Sequence, residues 1–211
     1  MTTVRFTDVI TEESELREIF GKPSERSLNK QIDHLDQHCR EIISKSPFIL
    51  LGTSNSSGLC DVSPKGDFPG FVRVLDDKTV AIPDLPGNNR LDTLANMLDN
   101  PHVGLIFLIP GMNETLRING NVRLIKDADL LESMSYQGKL PILAIVVDVE
   151  EVFIHCPKAF MRSKLWSDQS QINRNALPSM AEILRDHADL ADCNVEDLKS
   201  ELSQKWVREL H

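Results

Sequence analysis

The chain has little to fasten it covalently: its four cysteines, Cys39, Cys60, Cys156 and Cys193, are far apart and form no CxxC pair. That spacing excludes a zinc ribbon or a thioredoxin-like dithiol and leaves thiols of the kind that fill cores. Long apolar runs are missing as well, none approaching the roughly 18 residues of a membrane-spanning helix. The first residues, MTTVRFTDVITEESELREIF, lack a basic start and an apolar stretch, so they do not read as a secretory signal, and the expected location is cytoplasmic. Positive charge is scarce, with 23 Lys+Arg against 32 Asp+Glu and a net charge of −9, and residues 167–211 are the most acidic part for their length. Such a balance repels a nucleic acid or an anionic membrane surface, so neither is expected as a partner, while a small anionic ligand is compatible with it.

The familiar catalytic arrangements are absent too. Ser63 precedes a proline instead of standing in GxSxG, no Cys and His share a recognisable context, and no carboxylates cluster as an acid and base pair. His34 and His38 are four apart with Cys39 beside them, but the glutamate of HExxH and a third ligand are lacking, so no metal is expected.

What is present is a soluble globular composition, 41% hydrophobic and 26% charged over 211 residues, enough for one core with appendages. Residues 27–45 place Leu28, Ile32, Leu35, Cys39 and Ile42 at steps of four and three, which predicts a single amphipathic helix. From residue 48 the pattern changes to short apolar runs separated by turns: FILLGTS and LCDVSPKGD as one hairpin, FVRVL and TVAIP as a second. A helix follows, for which Asn88 or Asn89 is the expected cap and Leu91, Leu94, Ala95 and Leu98 the apolar stripe. VGLIFLIPG, ETLRINGNVRLI and LPILAIVVDVEEVFIH add three strands, with a short helix capped by Asp127 between the last two. CPKAFMRSKLW reads as a helix start, and the acidic end as one or two amphipathic helices. Six or so consecutive antiparallel strands seldom leave open edges, so the expectation is a mainly β, α+β fold built on a six-stranded antiparallel barrel. A Rossmann sheet is disfavoured, because strands and helices do not alternate and no GxGxxG follows a strand.

The stretch DVSPKGDFPGFV, residues 61–72, interrupts this pattern with two prolines and two glycines beside Lys65. PGNNR places Arg90 at the start of a helix. Freed backbone, a helix start and cations are together the parts that hold a phosphate, so an anionic cofactor beside the barrel is expected. Arg117, Lys158, Arg162 and Lys164 are further cations in irregular or strand-end segments.

The segments CDVSPKGDFPGFVRVLDDKTVAIPDLPGNNRLDTLANML, FLIPGMNETLRINGNVRL and VFIHCPKAFMRSKLW resemble the pyridoxamine 5'-phosphate oxidase-related, FMN-binding split-barrel proteins, over about residues 30–166. The resemblance implies a six-stranded split barrel, a homodimer, and FMN in the groove between subunits. Asp61, Val62, Ser63, Pro64 and Lys65 would run along the flavin ring and ribityl chain; Ile82, Pro83 and Asp84 would lie near them; Asn88, Asn89 and Arg90 would hold the phosphate. Thr115 stands where family members often carry a glutamine that reaches the ring, and Arg162, Ser163, Lys164 and Trp166 would close the site from the other subunit. The carboxy-terminal RLxxR type of motif of the vitamin B6 oxidases is missing, so pyridoxamine phosphate is not the expected substrate. The implied function is an FMN-dependent oxidoreductase acting on a small-molecule substrate or electron donor; the alternative is a flavin-binding or sensing protein without turnover. One domain is expected over 1–211, with a split-barrel core at 46–166 between helical extensions at 1–45 and 167–211.

Overall fold

The structure is a computed structural model that describes residues 6–190 and 192–209; residues 1–5, Ala191 and residues 210–211, which include the outer ends of both expected extensions, lie outside the described residues. In chain order the elements are α1 (Glu13–Phe20), α2 (Glu25–Asn29), α3 (Gln37–Lys45), β1 (Phe48–Ser54), β2 (Cys60–Gly66), β3 (Arg73–Val74), β4 (Thr79–Asp84), α4 (Asp92–Asp99), β5 (His102–Leu108), β6 (Thr115–Ile125), α5 (Ala128–Ser133), β7 (Leu143–His155), α6 (Lys158–Ser163), α7 (Met180–His187) and α8 (Val195–Glu209).

Alternation sets the sheet's two faces. Ile49, Leu51, Leu105, Phe107, Leu116, Ile118, Ile145 and Val147 are buried in the main core, and their neighbours one residue along turn to the opposite face, as the two-residue period of a pleated strand requires. There Ala144 and Val146 are buried in a second, smaller cluster with Met134, against which Leu130 and Leu131 pack. The strands form one antiparallel sheet in the order β2-β1-β5-β6-β7-β4-β3. β7 is the long element. It pairs with β6 from Ala144 to His155 and with β4 over its first half, which lets it bend around the core. A bulge between Asn119 and Gly120 marks the bend, where a Cβ on Gly120 would stand 2.1 Å from the carbonyl oxygen of Asp148. No ladder joins β2 to β3 among the described residues. The two ends of the sheet nevertheless approach, because Lys65 of β2 reaches Asp84 of β4. The molecule is therefore an antiparallel split barrel with flanking helices: α3 lays Cys39 and Ile43 on the core, and α4 adds Met97.

Several local expectations are corrected. The sheet has seven strands instead of six, since β3, only two residues long, adds an edge to β4. The single helix over 27–45 is two helices joined by an extended segment. Ile32 forms an antiparallel bridge with Val152 on β7, and Asp36 accepts a hydrogen bond from Cys39 N at 2.8 Å and starts α3 afresh. The sequence spacing fitted a helix because Ile32 and Leu35 are indeed turned inward, but from extended backbone. α4 is capped by neither Asn88 nor Asn89; its N-cap is Leu91, in the left-handed region at φ 62°. Asp127 is the N-cap of α5 by position, but its side chain accepts no capping hydrogen bond. At the carboxy-terminal end, α7 starts with a reciprocal capping box between Ser179 and Glu182 and packs against α8.

Candidate functional site

The split in the barrel is an open cleft of about 970 Å³, within the size of small-molecule sites. One wall is β2. As an edge strand paired with β1 alone, it keeps half of its backbone groups off the ladder, and it tolerates Pro64 for the same reason. Lys65, Ser63 and Asp61 share its inward face, because they stand opposite the core residues Ile49, Leu51 and Thr53 of β1. The facing wall is Pro83 and Asp84 at the end of β4, followed by the loop from Leu85 to Leu91, with Ile142 and Leu143 below.

The charges in the cleft are already partnered. Lys65 Nζ donates to Asp84 Oδ1 at 2.6 Å, with 18% and 12% of the two side chains exposed. Thr93 Oγ1 donates to Asp61 Oδ2 at 2.5 Å and ties the first turn of α4 to β2. Arg90 Nε donates to Asp92 Oδ2 at 2.7 Å, yet the Arg90 side chain remains 74% exposed, so its two terminal nitrogens are open to a ligand. The Arg90 N–H donates to Asn88 Oδ1 at 3.0 Å, which folds the loop back on itself. Asn89 and Leu91 both have positive φ, 58° and 62°. For leucine this is a costly conformation, and such strain collects where a loop must present its N–H groups in a fixed direction.

These groups suit a flavin mononucleotide. Its ribityl hydroxyls could donate to Asp61, Asp84 and Ser63, the ring could lie along the β2 backbone, and its phosphate matches Arg90 at the start of α4.

Of the predicted residues, Asp61, Val62, Ser63, Pro64, Lys65, Pro83, Asp84, Asn88, Asn89 and Arg90 all line this one cleft. Ile82 does not: it is fully buried and packs in the core. Nor do the remaining five. Thr115 opens β6 opposite His155 and is buried, three strands from β2 across the sheet, about 14 Å at the usual strand spacing. Arg162 and Ser163 end α6, and Lys164 is its left-handed C-cap. Trp166 stacks on Phe160 at 5.7 Å and donates from Nε1 to Met112 O at 2.8 Å, just ahead of Thr115. Thus Thr115 and Trp166 form a second neighbourhood, where β6 begins and β7 ends. Sequence reasoning missed Thr93, Asp92, Ile142 and Leu143 as parts of the cleft. The first two look like ordinary first-turn helix residues, and the last two join the cleft only through the pairing of Leu143 with Asp84.

A sequence profile described as "Pyridoxamine 5'-phosphate oxidase" matches residues 35–156, more than half of the chain. No curated protein matches it. Among solved structures, it is similar to HupZ from Group A Streptococcus at 19% identity, covering 56% of this chain and 92% of that one with a TM-score of 0.47. A protein of Lactobacillus delbrueckii, described provisionally as a pyridoxamine 5'-phosphate oxidase, is similar at 18% identity, with 58% and 95% covered and a TM-score of 0.47. A pyridoxamine 5'-phosphate oxidase-related, FMN binding protein of Nostoc punctiforme is similar at 15% identity, with 50% and 72% covered and a TM-score of 0.37. With the profile spanning the whole sheet from ahead of β1 to the end of β7, the chain belongs to the pyridoxamine 5'-phosphate oxidase family.

Proposed function

We propose that the protein is an FMN-dependent oxidoreductase that works as a homodimer on a small molecule other than pyridoxamine phosphate. The observation that carries this reading is the single cleft that unites the β2 residues 61–65 with Pro83, Asp84 and the Asn88–Arg90 loop. Bound FMN would supply the electron or hydride transfer at its ring, which explains why no acid and base pair is needed. The chain's own part is to hold the phosphate through Arg90, to orient the ribityl chain through Ser63, Asp61 and Asp84, and to keep Lys65 as a positive charge near the ring.

Pairing of two copies is supported by the outward face of β2, β1 and β5, which carries the exposed Val62, Phe48 and Ile106 at different levels, Val62 opposite Gly52 and Ile106 opposite Leu50. Such an apolar sheet face suits burial against a second subunit. In the dimer the second copy would bring Thr115, Arg162, Ser163, Lys164 and Trp166 to the cleft that its own chain does not offer them. The core at 46–166 would bind the flavin, with the two helical extensions belonging to the same single domain.

The test is an absorption spectrum of the purified protein with and without added FMN. A yellow protein that releases FMN on denaturation, and whose flavin is reduced by NADH or NADPH and then steadily reoxidised, is the expected result. Colourless protein that does not take up FMN would sink the proposal, and tight flavin that never turns over would point to a binding or sensing role.

A further inference from the structure

At the far end of the sheet from the cleft, four side chains form a square on the outer face of β6 and β7. Thr115 stands directly opposite His155, and Arg117 directly opposite Phe153. A fifth residue joins from the amino-terminal segment. Lys30 donates to the carbonyl oxygen of Ile154 at 3.0 Å, and the adjacent Ile32–Val152 bridge pins that segment to the edge of β7. Lys30 Nζ lies 5.0 Å from the Phe153 ring centroid, the Arg117 guanidinium carbon lies 5.4 Å from it, and the His155 ring is 6.1 Å away.

Two features mark this as more than a solvated surface. Neither Lys30 nor Arg117 has a carboxylate within ion-pair distance among the described residues, although the chain carries nine more acidic than basic groups. The nearest acid along that face of β7, Glu151, is held by the Asn119 amide, and Asn119 Oδ1 in turn accepts from Arg117 Nε at 3.3 Å. Arg117 is thereby oriented while its two terminal nitrogens keep their N–H groups for another acceptor, and Lys30 has spent one of three. Two cations drawn to one aromatic ring, with their remaining donors unspent, are the components of a site for an oxyanion.

We propose that Lys30, Arg117 and His155, gathered around Phe153, bind a carboxylate or phosphate group, and that this group belongs to the substrate. The substrate role rests on the flavin reading above: Thr115, one step along the same strand face from Arg117, is the residue placed there against the ring. A substrate anchored at Arg117 is held beside the reacting part of the flavin, and the substrate class is an anionic small molecule.

Calorimetric titration of the full chain with inorganic phosphate and, separately, with benzoate, at constant ionic strength, tests the site without depending on activity. Saturable binding of at least one is expected, phosphate alone indicating a phosphoryl substrate and benzoate alone a carboxylate one. Arg117→Ala should weaken it by about 10-fold or more, Arg117→Lys by less, and Phe153→Leu by a few-fold, with thermal unfolding checked for each variant. No saturable binding of either anion, or equal affinity in wild type and the Lys30→Ala/Arg117→Ala double variant, overturns the proposal. The same titrations on flavin-free protein separate the two readings: failure to take up FMN with anion binding intact removes the flavin assignment and leaves the anion site standing.

Discussion

Lys65 Nζ and Asp84 Oδ1, 2.6 Å apart, join β2 to β4 where no backbone ladder does. Both side chains are mostly buried, so removing one partner strands the other in a poorly solvated place. Fully buried pairs broken in this way cost about 3–5 kcal/mol, and partial exposure lowers that to about 1–3 kcal/mol for Asp84→Asn. Urea unfolding of the variant against wild type checks it. A Lys65→Met/Asp84→Asn double variant should recover part of the loss; no loss in the single variant would mean that the pair does not fasten the barrel.

The Arg90 side chain is exposed, and its ion pair among the described residues is with Asp92, itself exposed, so it adds little to stability, and on the proposed reading its part is to hold the FMN phosphate. Arg90→Ala should leave the unfolding midpoint within experimental scatter and weaken FMN by about 1.5–3 kcal/mol, the worth of a charged hydrogen bond. Asp92→Asn releases the guanidinium from its internal partner and should tighten FMN slightly, by up to about 0.5 kcal/mol. Fluorescence quenching titrations measure both, and a loss of affinity in Asp92→Asn would contradict the phosphate assignment.

Gly120→Ala should be among the most damaging single changes in the sheet. The added methyl would meet a backbone oxygen at 2.1 Å, at a bulge that both flanking strands hold in place. A loss of about 3 kcal/mol or more, or insoluble protein, is expected, whereas Gly87→Ala, with nothing within 4 Å and no positive φ to strain, should remain soluble.

Acid should weaken the tie between the amino-terminal segment and the β3–β4 turn. The Lys78 ammonium, which donates to the Asp33 carboxylate at 2.7 Å, is the main cause that lowers the Asp33 pKa from 3.8 to about 2, with His34 adding to it. A carboxyl with a lowered pKa in the folded state contributes stability above its unfolded value, and that contribution is lost as pH falls from about 4 to about 2. Melting temperatures followed through that window should fall less steeply for Asp33→Asn than for wild type. Parallel curves would mean that the pair does not report on folding.

Thiol reactivity should divide by burial. Burial, the largest cause, and the Asp36 carboxylate push the Cys39 thiol up to about 12, while Cys60 and Cys156 are exposed. Ellman's reagent at pH 8 should modify Cys60 and Cys156 rapidly and reach Cys39 only after denaturation. Mass mapping that found Cys39 among the first modified would disprove this.

The hairpins and the cleft were legible in the sequence because their signals are local. Ile49, Leu51 and Thr53 alternate in β1, and the prolines and glycines of 61–72 and 86–87 mark where backbone leaves the ladder. The segment around Ile32 was not legible, since its apolar spacing fits a helix and only the edge of β7 draws it into extended backbone. Ile82 was placed near the flavin by the resemblance, together with Pro83 and Asp84; it shares a face of β4 with Asp84 but, two residues further from the cleft, it is covered by the core. Arg117 was visible as a cation, but its meeting with Lys30 over Phe153 depends on residues more than 120 apart in the chain coming together, which no local pattern carries.

The fastening of the barrel is of two kinds, with consequences for how it opens. Its walls are zipped by continuous ladders, but the mouth is latched by one ion pair between Lys65 and Asp84. Because both side chains are mostly shielded from solvent, salt screens this latch only weakly, and loss of one partner, as in Asp84→Asn, is what releases it. The amides along the free side of β2 should therefore exchange faster in deuterated buffer in Asp84→Asn than in wild type, while those of β6, paired on both sides, keep their protons.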